Sequence, residues 1–215
     1  SEEMPCARRI IDRFARRAFR RPVSEAELAA PLKFYESGRQ QGFEFGIQQA
    51  VMGILASPKF LYRAEGLPGE APPGSVHRLT DLELASRLSF FLWSEGPDDE
   101  LLDLAAAGRL GDAGQLERQV KRMLADPRAQ TLATNFAGQW LTVDEIDAIE
   151  PDPTLYPEFD GALRRAFREE MERFVGSVFG EDRSVLSLLT ADWTFLNERL
   201  ALHYGIPNIR GDRFR

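Results

Sequence analysis

CARRIIDRFARRAFRRP, residues 6–22, is the stretch that decides the fold class. Its apolar residues recur every three or four positions and arginines fill the positions between them, which is typical of an amphipathic α-helix. Pro22 predicts where this helix ends, because proline cannot continue helical hydrogen bonding. Helical patterns recur as far as residue 204, and alternation with a period of two is nearly absent. We therefore predict an all-α protein with more than half of its residues in helices.

Two further helices are predicted after the first. Ser24 and Glu27 form the capping-box pattern, a hydroxyl residue followed three positions later by glutamate, and this pattern predicts a helix over residues 24–37. A third helix is expected over about 45–56, where the apolar residues again follow helical spacing. Residues 1–63 are therefore predicted to form a small three-helix module.

A proline- and glycine-rich stretch follows this module. GLPGEAPPGS, residues 66–75, predicts a linker or strap between two modules, which we place at residues 64–78. Residues 79–215 carry several helical patterns separated by proline and glycine, so we predict a larger, irregular helical domain there. We expect this domain to be truncated at its C-terminus.

Composition argues against several classes of function. The net charge is −7, which gives no overall attraction for nucleic acid, although residues 1–22 carry seven arginines and only three acids. We interpret this arginine face as solvated, or as docked on the acidic second module or on a part of the protein beyond this sequence. No apolar run approaches the roughly 20 residues that span a bilayer. Cys6 is the only cysteine, so neither an internal disulfide nor a cysteine-based zinc site can form within the chain.

Two acidic clusters resemble metal sites but have simpler explanations. Glu169, Glu170 and Glu172 share one predicted helix, yet a di-iron bundle also needs Glu-x-x-His pairs, and the sequence has none. A solvent-facing charge ladder is predicted instead, because opposite charges lie four positions apart in Arg165–Glu169–Arg173 and in Arg168–Glu172. The acids at residues 98–100 begin a predicted helix, where they stabilise its free amides and its dipole, so we assign no cation there.

The segment DWTFLNERLALHYGIP, residues 192–207, holds the densest group of unusual residues. A histidine at the end of a helix, as predicted for His203, serves either as an acid–base group, metal ligand or haem ligand, or as a structural residue that stabilises the helix end. We predict the structural role, with a hydrogen bond from His203 and neither metal nor haem bound. No catalytic, cofactor-binding or metal residue is therefore assigned. The weak candidates for catalysis are His203, Glu198, Asp192 and Arg87.

Longer motifs show a resemblance to known domains. CARRIIDRFARRAFRRPVSEAEL and ILASPKFLYR, residues 6–28 and 54–63, resemble a domain of unknown function. The chain also resembles a second domain of unknown function, which follows the first, in residues 79–110, 122–129, 135–141 and 192–207. Both occur in large exported proteins abundant in Planctomycetes, often together with c-type cytochrome modules.

The resemblance implies an extracytoplasmic or periplasmic location, neighbouring domains of the same polypeptide as partners, and a cytochrome c module among them. It implies haem c elsewhere in the parent protein and no cofactor in this chain, and it brings no known catalytic residue. We therefore interpret the chain as a helical scaffold or interaction module of an exported, redox-associated protein, without activity of its own and with neither a nucleic-acid partner nor a membrane span.

The alternative hypothesis is that this chain is part of an oxidoreductase or hydrolase whose active site is completed by residues outside this sequence. A convergent polar pocket around His203 would favour that alternative, whereas a buried His203 bonded to the backbone would favour the scaffold. A binder of acidic polymers through the arginine face is a third and less favoured hypothesis.

Overall fold

The computed structural model describes residues 2–66, 72 and 74–215. Helices account for 64% of these residues and no β-strand occurs among them, which confirms the all-α class. Much of the predicted linker, residues 67–71 and 73, lies outside the described residues.

The chain forms two compact units. The first contains Ser1–Phe90 and Glu95–Gln119, and the second contains Phe91–Ser94 and Val120–Arg215. The bounds of these units do not coincide with the predicted linker at 64–78. The division of the sequence into two modules at that linker stays a prediction.

Three long helices build the core of the first unit, and all three were predicted from the sequence. The helices at its beginning are α1 (Glu3–Phe19), α2 (Glu25–Gly38), α3 (Phe43–Leu55) and the short α4 (Pro58–Leu61). The buried face of α1 includes Ile11, which packs with Tyr35 of α2 and Ile54 of α3. Helix α1 ends before Pro22, because Arg20 adopts the left-handed conformation with φ of 58° and its amide donates to the carbonyl of Arg17.

The predicted capping box of α2 is present and is part of a larger charged cluster. The Glu27 carboxylate accepts a hydrogen bond from the backbone amide of Ser24, at 3.0 Å. It also pairs with Arg21, at 2.6 Å, and with Lys59 of α4. The hydrogen bonds from Arg21 and Lys59 hold the pKa of Glu27 well below its ordinary value. The cluster therefore joins the beginning of α2 to α4.

Two further helices continue the first unit: α5 (Asp81–Trp93), whose residues belong to this unit as far as Phe90, and α6 (Asp99–Ala106). The Asp98 side chain accepts the amide of Leu101 at 3.0 Å, so it caps α6 as the sequence predicted. Asp99 pairs with Arg17 of α1 at 2.5 Å, and Asp103 pairs with Arg16. Part of the arginine face is thus docked on acids of this same chain.

Helix α9 is the centre of the second unit. The helical elements of this part of the chain are α7 (Gln115–Leu124, in this unit from Val120), a 3₁₀ turn (Pro127–Gln130), a π-helix (Leu132–Ala137), α8 (Gly138–Trp140), a second 3₁₀ helix (Val143–Ala148), α9 (Gly161–Gly180), α10 (Ser187–Thr190) and α11 (Glu198–Tyr204). The first half of α9 packs on α11 through Leu163 and Leu200, and its second half packs on the π-helix through Val175 and Ala133. No helix in the described part of the chain is both long enough and apolar enough to cross a membrane.

Candidate functional site

An apolar cavity of about 360 Å³ opens on the second unit between the π-helix, α9 and α10. Its volume lies within the roughly 300–1,000 Å³ of typical binding pockets. Its wall on α9 is built by Phe167, Met171, Phe174 and Val175, whose spacing of three and four residues places them on one helix face. The remaining lining residues are Phe136, Ala137, Trp140, Leu141, Glu170, Phe179, Leu188, Leu189 and Thr194.

A row of exposed aromatic side chains extends from the cavity across the surface. Phe136 and Trp140 stack with ring centres 6.1 Å apart, and Phe91 contacts Phe136 edge-on at 5.6 Å. These three residues, which we call the aromatic row, are 54% (Phe91), 44% (Phe136) and 60% (Trp140) exposed. Contact between this much apolar ring surface and water is unfavourable, so covering the rings with a partner would lower the free energy.

The π-helix places two members of this row. Its turns hold one more residue than α-helical turns, which changes the direction of the side chains that follow, and such turns are frequent at functional sites. The preceding segment is anchored by Thr131, whose hydroxyl donates to the backbone carbonyl of Leu92 at 3.0 Å. Ala133 and Ala137 of the π-helix are buried against α9, while Phe136 between them is exposed.

Among the residues that the structure describes, Glu170 is the one acidic side chain that lines this cavity. Its Oε1 atom accepts a hydrogen bond from the hydroxyl of Thr194 at 2.7 Å, and its Oε2 atom accepts one from the phenol of Tyr204, also at 2.7 Å. Burial, together with the hydrogen bond to Glu170 and the charge of that carboxylate, raises the pKa of Tyr204 well above its ordinary value of 10.0. Tyr204 therefore remains a protonated hydrogen-bond donor at neutral pH.

Comparison with known families identifies this part of the chain. Residues 79–206, which are more than half of the chain, match the family model PSD4, described as a protein of unknown function (DUF1592). The chain belongs to the PSD4 family. Residues 6–65 match a second model, PSD5, also described as a protein of unknown function (DUF1595), so the chain contains two consecutive domains of unknown function, as the resemblance predicted. No curated protein and no solved structure matched the chain.

All residues that line the cavity lie inside the PSD4 match, and so does Tyr204. The charge ladder predicted on α9 of the PSD4 domain is only partly correct. Glu169 does pair with Arg173 at 2.7 Å, but Arg168 pairs with Asp147 at 2.9 Å instead of with Glu172. Asp147 is on a separate segment, so spacing along the helix did not reveal it.

Glu172 departs from the predicted ladder, and Glu170, which has no arginine four residues away, lies outside it. Glu170 contributes to the cavity, and burial raises the pKa of Glu172 above its ordinary value. The sequence signal that distinguishes Glu170 is its position between Phe167 and Phe174, on the apolar face of the helix.

Three of the four weak candidates for catalysis, Glu198, Asp192 and His203, belong to the second unit. Glu198 accepts the amide of Gly211 at 2.6 Å and pairs with Arg210, and these contacts lower its pKa. Asp192 is exposed. Arg87 belongs to the first unit, where it pairs with Glu65 at 2.5 Å.

His203 does not have the environment that either hypothesis required. Its ring is exposed at the end of α11 and contacts Phe167 edge-on at 5.2 Å. The expected hydrogen bond is not present among the residues described, and neither is a convergent group of catalytic side chains around the ring. Within the same described ranges, no group of three or more His, Cys, Asp or Glu side chains could hold a metal ion.

Replacing His203 with Ala is expected to lower the free energy of unfolding by no more than about 1 kcal/mol, because the exposed ring loses only its aromatic contacts. Urea denaturation followed by circular dichroism would measure this change, with the exposed Asp192→Ala variant as the control. We also expect elemental analysis of the purified chain to find no stoichiometric iron or zinc. One equivalent of metal in the wild type that is lost in the variant would contradict the expectation that His203 binds no metal.

Proposed function

We propose that the PSD4 domain of this chain is an interaction module that binds an apolar polypeptide segment of a neighbouring domain. The observation that carries this proposal is the aromatic row, which lies beside the apolar cavity on the same face of the second unit. Exposed apolar surfaces with a central pocket are typical of protein–protein interfaces, and Trp and Phe are enriched at such interfaces.

The extent of the surface favours a polypeptide over a small ligand. The cavity would hold one or two large side chains, whereas Phe91 lies beyond its lining and Leu189 at its edge is 83% exposed. A ligand confined to the cavity would leave these side chains in water. A peptide with several apolar residues would place an anchor in the cavity and cover the row as well.

The wider context of the proposal rests on the resemblance of the long motifs to domains of exported proteins. On this proposal the parent is a larger exported, redox-associated protein, located outside the cytoplasm. Haem c would be carried by a cytochrome c module of the same polypeptide, and this chain would hold no cofactor. Its role would be to join neighbouring domains, with no catalysis of its own.

The proposal can be tested by selecting random peptides displayed on phage against the immobilised chain. We expect the wild type to enrich peptides with two or more large apolar residues, and we expect these to bind the double variant Phe136→Ser, Trp140→Ser at least tenfold more weakly. Both replaced side chains are exposed, so the variant should keep its circular dichroism spectrum. Tyr62→Ser, which removes an exposed ring from the first unit, is the matched control and should bind like the wild type.

Equal binding of the enriched peptides to the wild type and the double variant would contradict the proposal. Adsorption to phosphatidylcholine vesicles that is lost in the double variant, without selection of apolar peptides, would contradict it as well and would assign the surface to a membrane.

A further inference from the structure

Glu170 places a negative charge in a cavity that is otherwise lined almost entirely by apolar side chains. Its two hydrogen-bond donors, Thr194 and Tyr204, are both uncharged hydroxyl groups. In the part of the chain that the structure describes, no lysine, arginine or histidine lies within ion-pair distance of this carboxylate. A carboxylate removed from water without a cationic partner is strongly destabilised, so covering the cavity with an uncharged segment would be unfavourable.

Three of the four arginines of α9 are engaged by other groups, and the fourth, Arg165, lines a separate pocket with Glu169 and Glu172. Arg173, one turn from Glu170, pairs with Glu169 at 2.7 Å. Arg164 donates to the carbonyl groups of Asp147 and Ile149, at 2.8 and 2.6 Å. Arg168 pairs with Asp147. The helix that carries Glu170 therefore does not supply the missing positive charge.

Glu170 retains the capacity to bind a cation. An ionised carboxylate has about four acceptor positions, and the two hydroxyl donors use only two of them. The rings of Phe167 and Phe174 belong to the same cavity, and aromatic faces attract organic cations as well as apolar groups.

We infer that the segment bound by this cavity carries a basic side chain, lysine or arginine, beside its apolar anchors, and that Glu170 binds that side chain. The inference rests on the proposed function, since it specifies the chemistry of the same partner. Glu170 then determines specificity: a segment with the same apolar residues but without the basic residue would leave the carboxylate desolvated and unpaired.

The test repeats the phage selection on three forms of the full chain. The wild type and the control Glu169→Gln, which changes the neighbouring acid on the same helix, should both enrich apolar peptides that contain lysine or arginine. Glu170→Gln keeps the shape of the side chain, and its amide can accept a hydrogen bond from one of the two hydroxyls and donate one to the other. This variant should enrich apolar peptides without this basic preference. A selected peptide whose basic residue is replaced by glutamine should bind the wild type about tenfold more weakly, and Glu170→Gln less than twofold more weakly.

Two results would separate this inference from the proposed function. Apolar peptides that bind the wild type without a basic preference, and bind Glu170→Gln equally well, would overturn the inference and leave the interaction module intact. Failure of the wild type to enrich any apolar peptide over the Phe136→Ser, Trp140→Ser variant would overturn both. The substitution in the peptide needs only the wild-type chain, so a tenfold loss there tests the inference even if Glu170→Gln is unstable.

Discussion

Replacing Trp93 with Ala is expected to lower the free energy of unfolding by about 3–5 kcal/mol, the usual loss for a large buried aromatic side chain. Trp93 is only 2% exposed, and its indole N–H donates to the backbone carbonyl of Met123 at 2.9 Å. The guanidinium of Arg128 lies 3.5 Å from the centre of its ring and that of Arg122 lies at 5.5 Å. The substitution would therefore leave a cavity, remove one hydrogen bond from the carbonyl of Met123, which keeps the amide of Asp126 at 3.3 Å, and deprive two arginines of their aromatic contact.

Urea denaturation followed by circular dichroism at 222 nm would measure this loss. The control is Trp140→Ala, which removes the same type of side chain from the aromatic row. Trp140 is 60% exposed, so this substitution should change the free energy of unfolding by less than about 1 kcal/mol. Trp93→Phe should lose about 1–3 kcal/mol, because most of the packing is kept while some buried volume and one of the two hydrogen bonds to the carbonyl of Met123 are lost. Similar stabilities for Trp93→Ala and Trp140→Ala would show that the indole of Trp93 is not a core side chain.

Gly46→Ala is expected to lower the free energy of unfolding by about 1–3 kcal/mol, even though Ala is the better helix-forming residue. Helix α3 packs so closely on α2 that a Cβ atom at Gly46 would lie 2.9 Å from the backbone carbonyl oxygen of Tyr35 and 2.8 Å from its ring. Tyr35 is completely buried and its hydroxyl donates to Glu3 at 2.9 Å, so neither obstacle can move without cost. The two helices would have to separate.

Gly53→Ala is the matched control for Gly46→Ala, because both residues are on α3 and both approach α2. A Cβ atom at Gly53 would lie 2.5 Å from the ring of Phe34, but that ring is 49% exposed and can rotate into solvent. This variant should keep the wild-type stability or gain up to about 1 kcal/mol from helix propensity. Thermal unfolding of the three proteins would compare them, and a midpoint for Gly46→Ala at or above that of Gly53→Ala would contradict the close packing.

The two tryptophans distinguish the stability of the second unit from its proposed binding surface. Trp93 and Trp140 are the same residue type, and each is the last residue of a helix, α5 and α8 respectively. The ring of Trp93 is buried against α7 and the following 3₁₀ turn, whereas that of Trp140 is exposed beside the cavity. Substitutions in the aromatic row are therefore expected to affect binding with little effect on folding, which makes the proposed function testable in a folded protein.

Several features of the fold followed from the sequence alone because they depend on residues within one or two helical turns of each other. The spacing of apolar residues predicted α1, and Ser24 with Glu27 predicted the beginning of α2. Asn197 caps α11 through the amide of Leu200, at 3.0 Å, and Gly205 ends this helix with φ of 69°, as their residue types suggest. The long motifs likewise predicted two consecutive domains of unknown function.

The candidate site depended on contacts that no local pattern specifies. Successive residues on a helix differ in direction by about 100°, so the adjacent Glu169 and Glu170 face different surroundings. Glu170 lines the cavity and accepts hydrogen bonds from Thr194 and Tyr204, which lie 24 and 34 residues further along the chain. Similarly, Arg168 pairs with the distant Asp147 and not with Glu172, the partner predicted on the same helix. Sequence periodicity thus determined the helices, while tertiary packing decided which of their polar residues became the site, because distant segments set the environment of each helix face.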